Sequence, residues 1–152
     1  MYELNRMLSH LAFVIPVAYP DPLVASASPA AQARDHIQTV MEQATGGRLH
    51  FMANQVGGLK ADVDPAWSTN VKQAIDLAGQ TLPHLQSVLF DRLGPQLTGL
   101  GVLSASTVAD FGVSGVAAHA AGVDLDLRRS SPYLAYSELS SVLTPVLRSD
   151  GD

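Results

Sequence analysis

Residues 64–93 read DPAWSTNVKQAIDLAGQTLPHLQSVLFDRL, and this stretch decides the fold. It opens with Asp64 and Pro65, a pair typical of helix starts because aspartate caps the first turn and proline is tolerated within it. Apolar residues follow at helical spacing and are expected to share one buried face: Trp67, Val71, Ile75, Ala78, Leu82, Leu85 and Leu89. The pattern predicts one long helix from Pro65 to about Leu93.

Two further helices are predicted before this one. Ser28 and Pro29 repeat the start signal, and Gly46-Gly47 is expected to end that helix. Its apolar face is predicted to consist of Ile37, Val40, Met41 and Ala44. The first segment, from Tyr2 to about Tyr19, has the same spacing at Leu4, Met7, Leu8, Leu11 and Val14. Pro16 should kink or end it. We expect the helix after Ser28 to pack antiparallel to the long helix.

After Gly94-Pro95, glycines separate short apolar segments of the sequence. Ser104 can cap a short helix over Ala105 to Asp110, with Gly112 past its end. Apolar and acidic residues alternate from Val123 to Leu127, which predicts a short strand or an extended arm. We therefore expect a mainly α fold with a short extended segment, in a single domain over residues 1–152.

The composition narrows the possible functions. Charged residues make up 15% of the 152, against about 25% in typical soluble domains, which favours a chain that lies against other subunits. A net charge of -5 with only nine Lys plus Arg argues against a nucleic-acid surface. The chain has no cysteine, so it cannot itself hold a disulfide, a thiolate zinc site or an iron–sulfur cluster. Its five histidines occur singly, without the paired spacing of a metal site.

Short motifs that suggest other enzymes are incomplete. Gly112-Val113-Ser114-Gly115 approaches the nucleophile elbow of serine hydrolases, but Val116 stands where the final glycine is needed. The Gly99-Leu100-Gly101 motif has Ser104 at the last glycine of a dinucleotide fingerprint, so direct nucleotide binding is not expected.

The start of the chain has some features of a secretory signal, namely Arg6 before the apolar stretch from Leu11 to Tyr19 and the Ala25-Ser26-Ala27 tripeptide. A secreted helical binding domain is therefore one alternative. Prolines interrupt the apolar stretch, which is also too short for a spanning helix. We expect a cytoplasmic chain that does not span the membrane.

Short sequence motifs occur along the chain in an order that resembles a known family. The motifs are Glu3-Leu4-Asn5-Arg6, Ser9-His10-Leu11, Thr45-Gly46-Gly47-Arg48-Leu49-His50, Val56-Gly57-Gly58, Gly101-Val102-Leu103-Ser104, Gly112-Val113-Ser114-Gly115, Gly122-Val123-Asp124-Leu125-Asp126-Leu127-Arg128-Arg129 and Pro132-Tyr133. In this order they resemble the 49-kDa, D-type subunit of proton-pumping NADH:quinone oxidoreductase, respiratory complex I. That family is itself similar to the large subunits of nickel–iron hydrogenases.

The resemblance covers the middle of the family's 49-kDa chain and implies its central helical bundle. It implies packing on the B-like iron–sulfur subunit that carries the terminal cluster, near the quinone chamber, in a complex peripheral to the inner face of the cell membrane. The cluster would belong to the partner and the chain would bind no cofactor or metal directly. The family's amino-terminal sheet and carboxy-terminal part have no counterpart here, so activity of the isolated chain is not expected.

The resemblance also implies roles for particular residues. His50 matches the family histidine beside the terminal cluster, where reduction of the cluster is coupled to proton uptake. An imidazole suits this role because its ordinary pKa is near 6.5 and an added electron nearby would raise it. Arg48 is expected to act in positioning. Interface residues are expected at Arg128, Arg129, Glu3 and Arg6.

Three departures from the family pattern favour an alternative function. Gln55 and His119 stand where the family has arginines, and Pro20, next to Asp21, stands where it has an acidic residue. These replacements remove two cations and one proton-coupling acid. The chain is therefore either a redox subunit of the complex or a diverged scaffold or assembly module with the same fold and no redox role.

Overall fold

The computed structural model describes residues 1–60, 62–139 and 141–143. The chain divides into two compact units, residues 1–92 and the part from Leu93 onward. The helices are α1 (Tyr2–Ala18), α2 (Pro22–Ala27), α3 (Pro29–Thr45), α4 (Pro65–Gln86), α5 (Gly94–Leu97), α6 (Ala105–Phe111), α7 (Gly115–Ala120) and α8 (Leu127–Ser130). Two short strands, β1 (Asn54–Gln55) and β2 (Gly58–Leu59), form an antiparallel hairpin. The expected mainly α fold is confirmed; the single-domain expectation stays a prediction.

Helix α3 is the centre of the first unit, because both α1 and α4 pack against it. Its start is capped as predicted, with the Ser28 hydroxyl accepting a hydrogen bond from the amide of Ala31 at 3.1 Å. Ile37 and Met41 are completely buried. The buried residues of α3 are Ala30, Ala33, Ile37, Gln38, Val40 and Met41.

The predicted antiparallel pairing of α3 and α4 is present. The indole Nε1–H of Trp67, in the first turn of α4, donates to the carbonyl of Val40 near the end of α3 at 2.6 Å. At the other end of the pair, Thr81 of α4 lines the same small cavity as Ala33 of α3. The Asp64 cap is also confirmed, since its carboxylate accepts from the amide of Trp67 at 2.6 Å.

The long helix is regular only to Gln86 and continues as a π-helical segment, Ser87–Leu93. When the π-helical segment is counted with α4, the helix ends at Leu93, as predicted. Pro83 lies inside the last regular turns, where it removes one backbone hydrogen-bond donor. Helix α1 likewise runs through Pro16 for two more residues and ends at Ala18.

The predicted buried face of α4 is partly wrong. Ile75 and Leu82 are exposed by 42% and 57%, whereas Ala74 and Thr81 are buried along with Ala78 and Leu85. The buried positions of α4 are thus mostly small residues, which allow a neighbouring helix to approach closely. Ile75, Leu82 and Leu85 line a groove together with Ala78.

That groove lies between α4 and α1 and has a volume of about 490 Å³. Its lining is almost entirely apolar and comprises Met7, His10, Leu11, Val14, Ile75, Ala78, Gly79, Leu82, Leu85, Gln86, Leu89 and Phe90. It forms because both helices pack on α3 and have few contacts with each other.

The second unit is built from short helices, as its glycines indicate. Ser104 caps α6 through the amide of Thr107 at 3.1 Å, and the helix ends before Gly112 as predicted. The expected strand over Val123 to Leu127 is wrong, while the alternative of an unpaired arm holds as far as Asp126. Asp126 accepts from the amide of Arg128 at 3.0 Å and thereby starts α8 at Leu127.

Within the described part of the chain, no helix has the length and apolar character required to cross a membrane.

Candidate functional site around His50

His50 lies on the segment that follows α3, and two glycines shape that segment. Gly46 has φ +74°, the left-handed conformation that commonly ends helices, and its amide donates to the carbonyl of Glu42 at 2.7 Å. A Cβ atom at Gly47 would lie 2.2 Å from the backbone oxygen of His50. The Gly-Gly pair thus ends α3 and also allows the chain to fold back until His50 touches Gly47.

The side chain of Arg48 is fastened to α3. Its guanidinium forms ion pairs with Asp35 and with Glu42, the latter at 2.7 Å. The hydrogen bond that Arg48 donates to Glu42 and the charges of both carboxylates raise the pKa of Arg48 above its ordinary value. These groups are largely exposed, so the pairs contribute modestly to stability. Their geometry still gives the segment after α3 an anchor on the outside of the helix.

A second side chain, on the buried side of α3, also holds the segment after α3. It was not predicted from the sequence. Gln38 is only 9% exposed, and its side-chain amide donates to the backbone oxygen of Arg48 at 2.7 Å. Thr45 adds a third contact, since its hydroxyl donates to the carbonyl of Gly47 at 3.2 Å. The only sequence signal for Gln38 is its position beside Ile37 on a helix whose neighbouring residues are core residues.

His50 itself is exposed and lines a cavity of about 300 Å³. The cavity lies between the start of α1 and the segment after α3, and Tyr2, Met41 and Phe51 contribute to its wall. Its polar rim includes Asn54, whose amide donates to the hydroxyl of Tyr2 at 3.4 Å. Arg48 does not line this cavity, so the structure places the two predicted site residues on one segment but not in one pocket.

Two residues that depart from the family pattern, Gln55 and His119, and Asp21 beside the third departure, Pro20, have partners within the chain. The side-chain amide of Gln55 donates to the carbonyl of Leu59 across the hairpin at 2.9 Å. His119 Nε2 lies 3.0 Å from the carbonyl of Leu125. Asp21 accepts from the amide of Leu23 at 2.8 Å and caps α2. All three side chains therefore have local structural roles.

Arg128 and Arg129 lie in the second unit and differ in exposure. The guanidinium of Arg128 makes a two-pronged ion pair with Asp126, at 2.9 Å and 2.6 Å, and both side chains are mostly buried. The hydrogen bond from Arg128 lowers the pKa of Asp126 to about 2. Arg129 pairs only loosely with Asp124 at 3.5 Å and is 44% exposed. Of the two arginines, Arg129 presents the more accessible guanidinium.

The other predicted interface residues, Glu3 and Arg6, form an exposed ion pair within one turn of α1, with Arg6 Nε 2.8 Å from a Glu3 oxygen. Among the described residues no group of three or more histidine or acidic side chains could hold a metal ion. What the His50 segment offers chemically is thus an accessible imidazole on a firmly anchored stretch of backbone.

The described residues thus form a mainly α chain in which an anchored segment carries an exposed histidine, His50. The family model described as "Respiratory-chain NADH dehydrogenase, 49 Kd subunit" matches residues 24–152, and the chain belongs to this family.

Curated relatives extend the match to almost the whole chain. The D 1 subunit of NADH-quinone oxidoreductase from Streptomyces coelicolor is 42% identical over 157 residues, covering 99% of this chain and 40% of that protein. The D 2 subunit from Streptomyces griseus is also 42% identical, with 99% and 39% covered. The D 2 subunit from Rhizobium etli is 31% identical, with 100% and 38% covered. The chain spans about two fifths of the length of these relatives.

Proposed function

We propose that this chain forms the helical part of a 49-kDa, D-type subunit in a proton-translocating NADH:quinone oxidoreductase, packing on the iron–sulfur subunit near the quinone chamber and supporting electron transfer to quinone. The observation that carries the proposal is the family match over residues 24–152. The composition supports it, because a chain with 15% charged residues and many exposed apolar side chains is suited to burial in an assembly.

In this proposal His50 lies beside the terminal cluster. The cluster would be bound by the partner, since this chain has no cysteine; when present it accepts and passes on single electrons. His50 takes up a proton when negative charge is added nearby, and that proton stabilises the charge. At several ångströms in a poorly screened interface, the attraction is on the order of 1 kcal/mol. Arg48 acts in positioning, through its two ion pairs to α3.

The proposed partners are the B-like iron–sulfur subunit and the other peripheral-arm subunits of the complex, on the cytoplasmic face of the membrane. Arg129, Glu3 and Arg6 are proposed to contact partners, because their charged groups are accessible. Arg128 is proposed to shape the interface, since its guanidinium is held by Asp126.

The test is a redox titration of the assembled complex at two pH values, read by electron paramagnetic resonance of the terminal cluster. His50→Ala should leave assembly intact, lower the midpoint potential of the cluster and flatten its dependence on pH. His36→Ala is the matched control, because His36 is another exposed histidine on the same unit. Equal pH slopes for wild type and His50→Ala would exclude the redox role.

A scaffold function is the second candidate, and a specific observation favours it. Where the family has two arginines, this chain has Gln55 and His119, whose side chains lie within hydrogen-bond distance of the backbone carbonyls of Leu59 and Leu125. A scaffold predicts that deleting the chain abolishes assembly of the complex, whereas His50→Ala changes neither assembly nor the potential of the cluster. The redox proposal predicts that Gln55→Arg, which restores a cation, raises that potential.

A further inference from the structure

We propose that Gln38 is a positioning residue for His50: from inside the helical core it fixes the backbone that carries the imidazole. This inference rests on the proposed redox role of His50. Gln38 does not itself line the cavity that His50 lines, so it would act through the path of the main chain.

The burial of Gln38 is the first argument. The residue lies in the middle of α3, next to the fully buried Ile37 and close to Met41, and is itself 9% exposed. An amide at such a position loses its hydration and is destabilising unless it is hydrogen-bonded. Its donor finds the carbonyl of Arg48 at 2.7 Å, ten residues along the chain. The hydrogen bond therefore ties the core of α3 to the segment that follows it.

His50 is only two residues from Arg48, so the fixed backbone at Arg48 restricts where His50 can lie. A fixed carbonyl at Arg48 fixes the following peptide plane, and two residues span about 7 Å at most. The backbone oxygen of His50 lies against Gly47, at a position where a Cβ atom would be only 2.2 Å away. The same oxygen accepts from the amide of Met52 at 3.0 Å. The position of His50 is thus set by a hydrogen bond on one side and by a close contact on the other.

Gln38 differs from the other anchor of this segment in its surroundings. The ion pairs of Arg48 are exposed and are weakened by salt, whereas the hydrogen bond of Gln38 is part-buried and joins two uncharged groups. The structure therefore assigns the salt-independent part of the anchoring to Gln38. Raising the ionic strength should leave the effect of Gln38 on His50 unchanged.

The test uses Gln38→Met in the assembled complex, since methionine has a similar length and no hydrogen-bond donor. We expect assembly to persist and the pH slope of the cluster's midpoint potential to fall part of the way from wild type to His50→Ala. The double variant Gln38→Met/His50→Ala should match His50→Ala alone, because Gln38 acts only through His50. Gln43→Met, an exposed glutamine on the same helix, should retain the wild-type slope.

Gly47→Ala tests the same role by perturbing the backbone at His50 directly. Its Cβ would displace the oxygen of His50 and should also flatten the slope. A His50 effect that survives unchanged in both Gln38→Met and Gly47→Ala would refute the positioning role and leave the proposed function standing. Loss of assembly in both variants would likewise refute it, by showing that the segment serves folding alone. Equal slopes in wild type and His50→Ala would refute the proposed function and this role together.

Discussion

Replacing Asp126 by asparagine should destabilise the second unit, and the ion pair with Arg128 sets the size of the effect. The Asp126 side chain is only 6% exposed, it receives two hydrogen bonds from the guanidinium, and it accepts the backbone amide that begins α8. Asparagine keeps the shape, and its oxygen can still cap the helix, but its amide nitrogen cannot accept a hydrogen bond from the guanidinium. The change therefore removes the charge and one of the two hydrogen bonds to Arg128.

The lowered pKa of Asp126 gives the size of the expected loss of stability. A carboxyl whose pKa falls from 3.8 to about 2 on folding contributes roughly 2 kcal/mol at neutral pH. Because the pKa is lower in the folded chain than in the unfolded chain, the contribution is complete above about pH 5 and is lost as the pH falls from about 4 towards 2. At pH 3 about 1 kcal/mol should already be lost.

Amide hydrogen exchange of α8 measures this contribution locally, since the amides of Arg129 and Ser130 both donate to the carbonyl of Asp126 at 2.9 Å. At pH 7, Asp126→Asn should lower their opening free energy by roughly 2 kcal/mol. Asp124→Asn is the control, because its pair with Arg129 is exposed and should contribute less than about 1 kcal/mol. The reasoning fails if both variants lose the same amount, or if Asp126→Asn retains the wild-type loss between pH 7 and pH 3.

Three further changes test the first unit by urea unfolding followed by circular dichroism. Gly79→Ala should raise the unfolding free energy by up to about 1 kcal/mol, because alanine favours helix and its Cβ would meet nothing within 4 Å; a lower midpoint would contradict this. Trp67→Phe should lower it by about 1 kcal/mol through loss of the hydrogen bond to Val40, and an unchanged midpoint would count against that bond. Ser28→Ala should also cost about 1 kcal/mol, as the cap of α3 is lost, whereas Ser26→Ala, at an exposed position, should have little effect.

The helix starts were predictable because their signals are local. Ser28, Asp64 and Ser104 each hydrogen-bond an amide three residues ahead, so the cap and the helix it starts are contained in a few adjacent residues. The mainly α fold and the family followed from such signals and from the order of short motifs. His50 could be selected as a candidate because the family resemblance implies its role.

The sequence-based predictions were wrong or incomplete at positions where tertiary contacts determine the structure. Helix α4 has apolar residues on more than one face, and periodicity alone could not show that Ala74 and Thr81 would be buried while Ile75 stayed exposed. The alternation from Val123 to Leu127 resembled a strand, but the carboxylate of Asp126 turned the chain into α8. Gln38 was missed because its partner is ten residues away along the chain and meets it only after the segment folds back.

Trp67 is the only tryptophan of the chain, and its indole bridges α3 and α4. Its emission is consequently an intrinsic optical reporter of the first unit alone. Two of the four tyrosines, Tyr133 and Tyr136, lie in the second unit, and their rings meet edge to face with centroids 4.9 Å apart. Because Tyr2 and Tyr19 belong to the first unit, the tyrosine signal mixes the two units, whereas stopped-flow tryptophan fluorescence can time the loss of the first unit in an unlabelled sample.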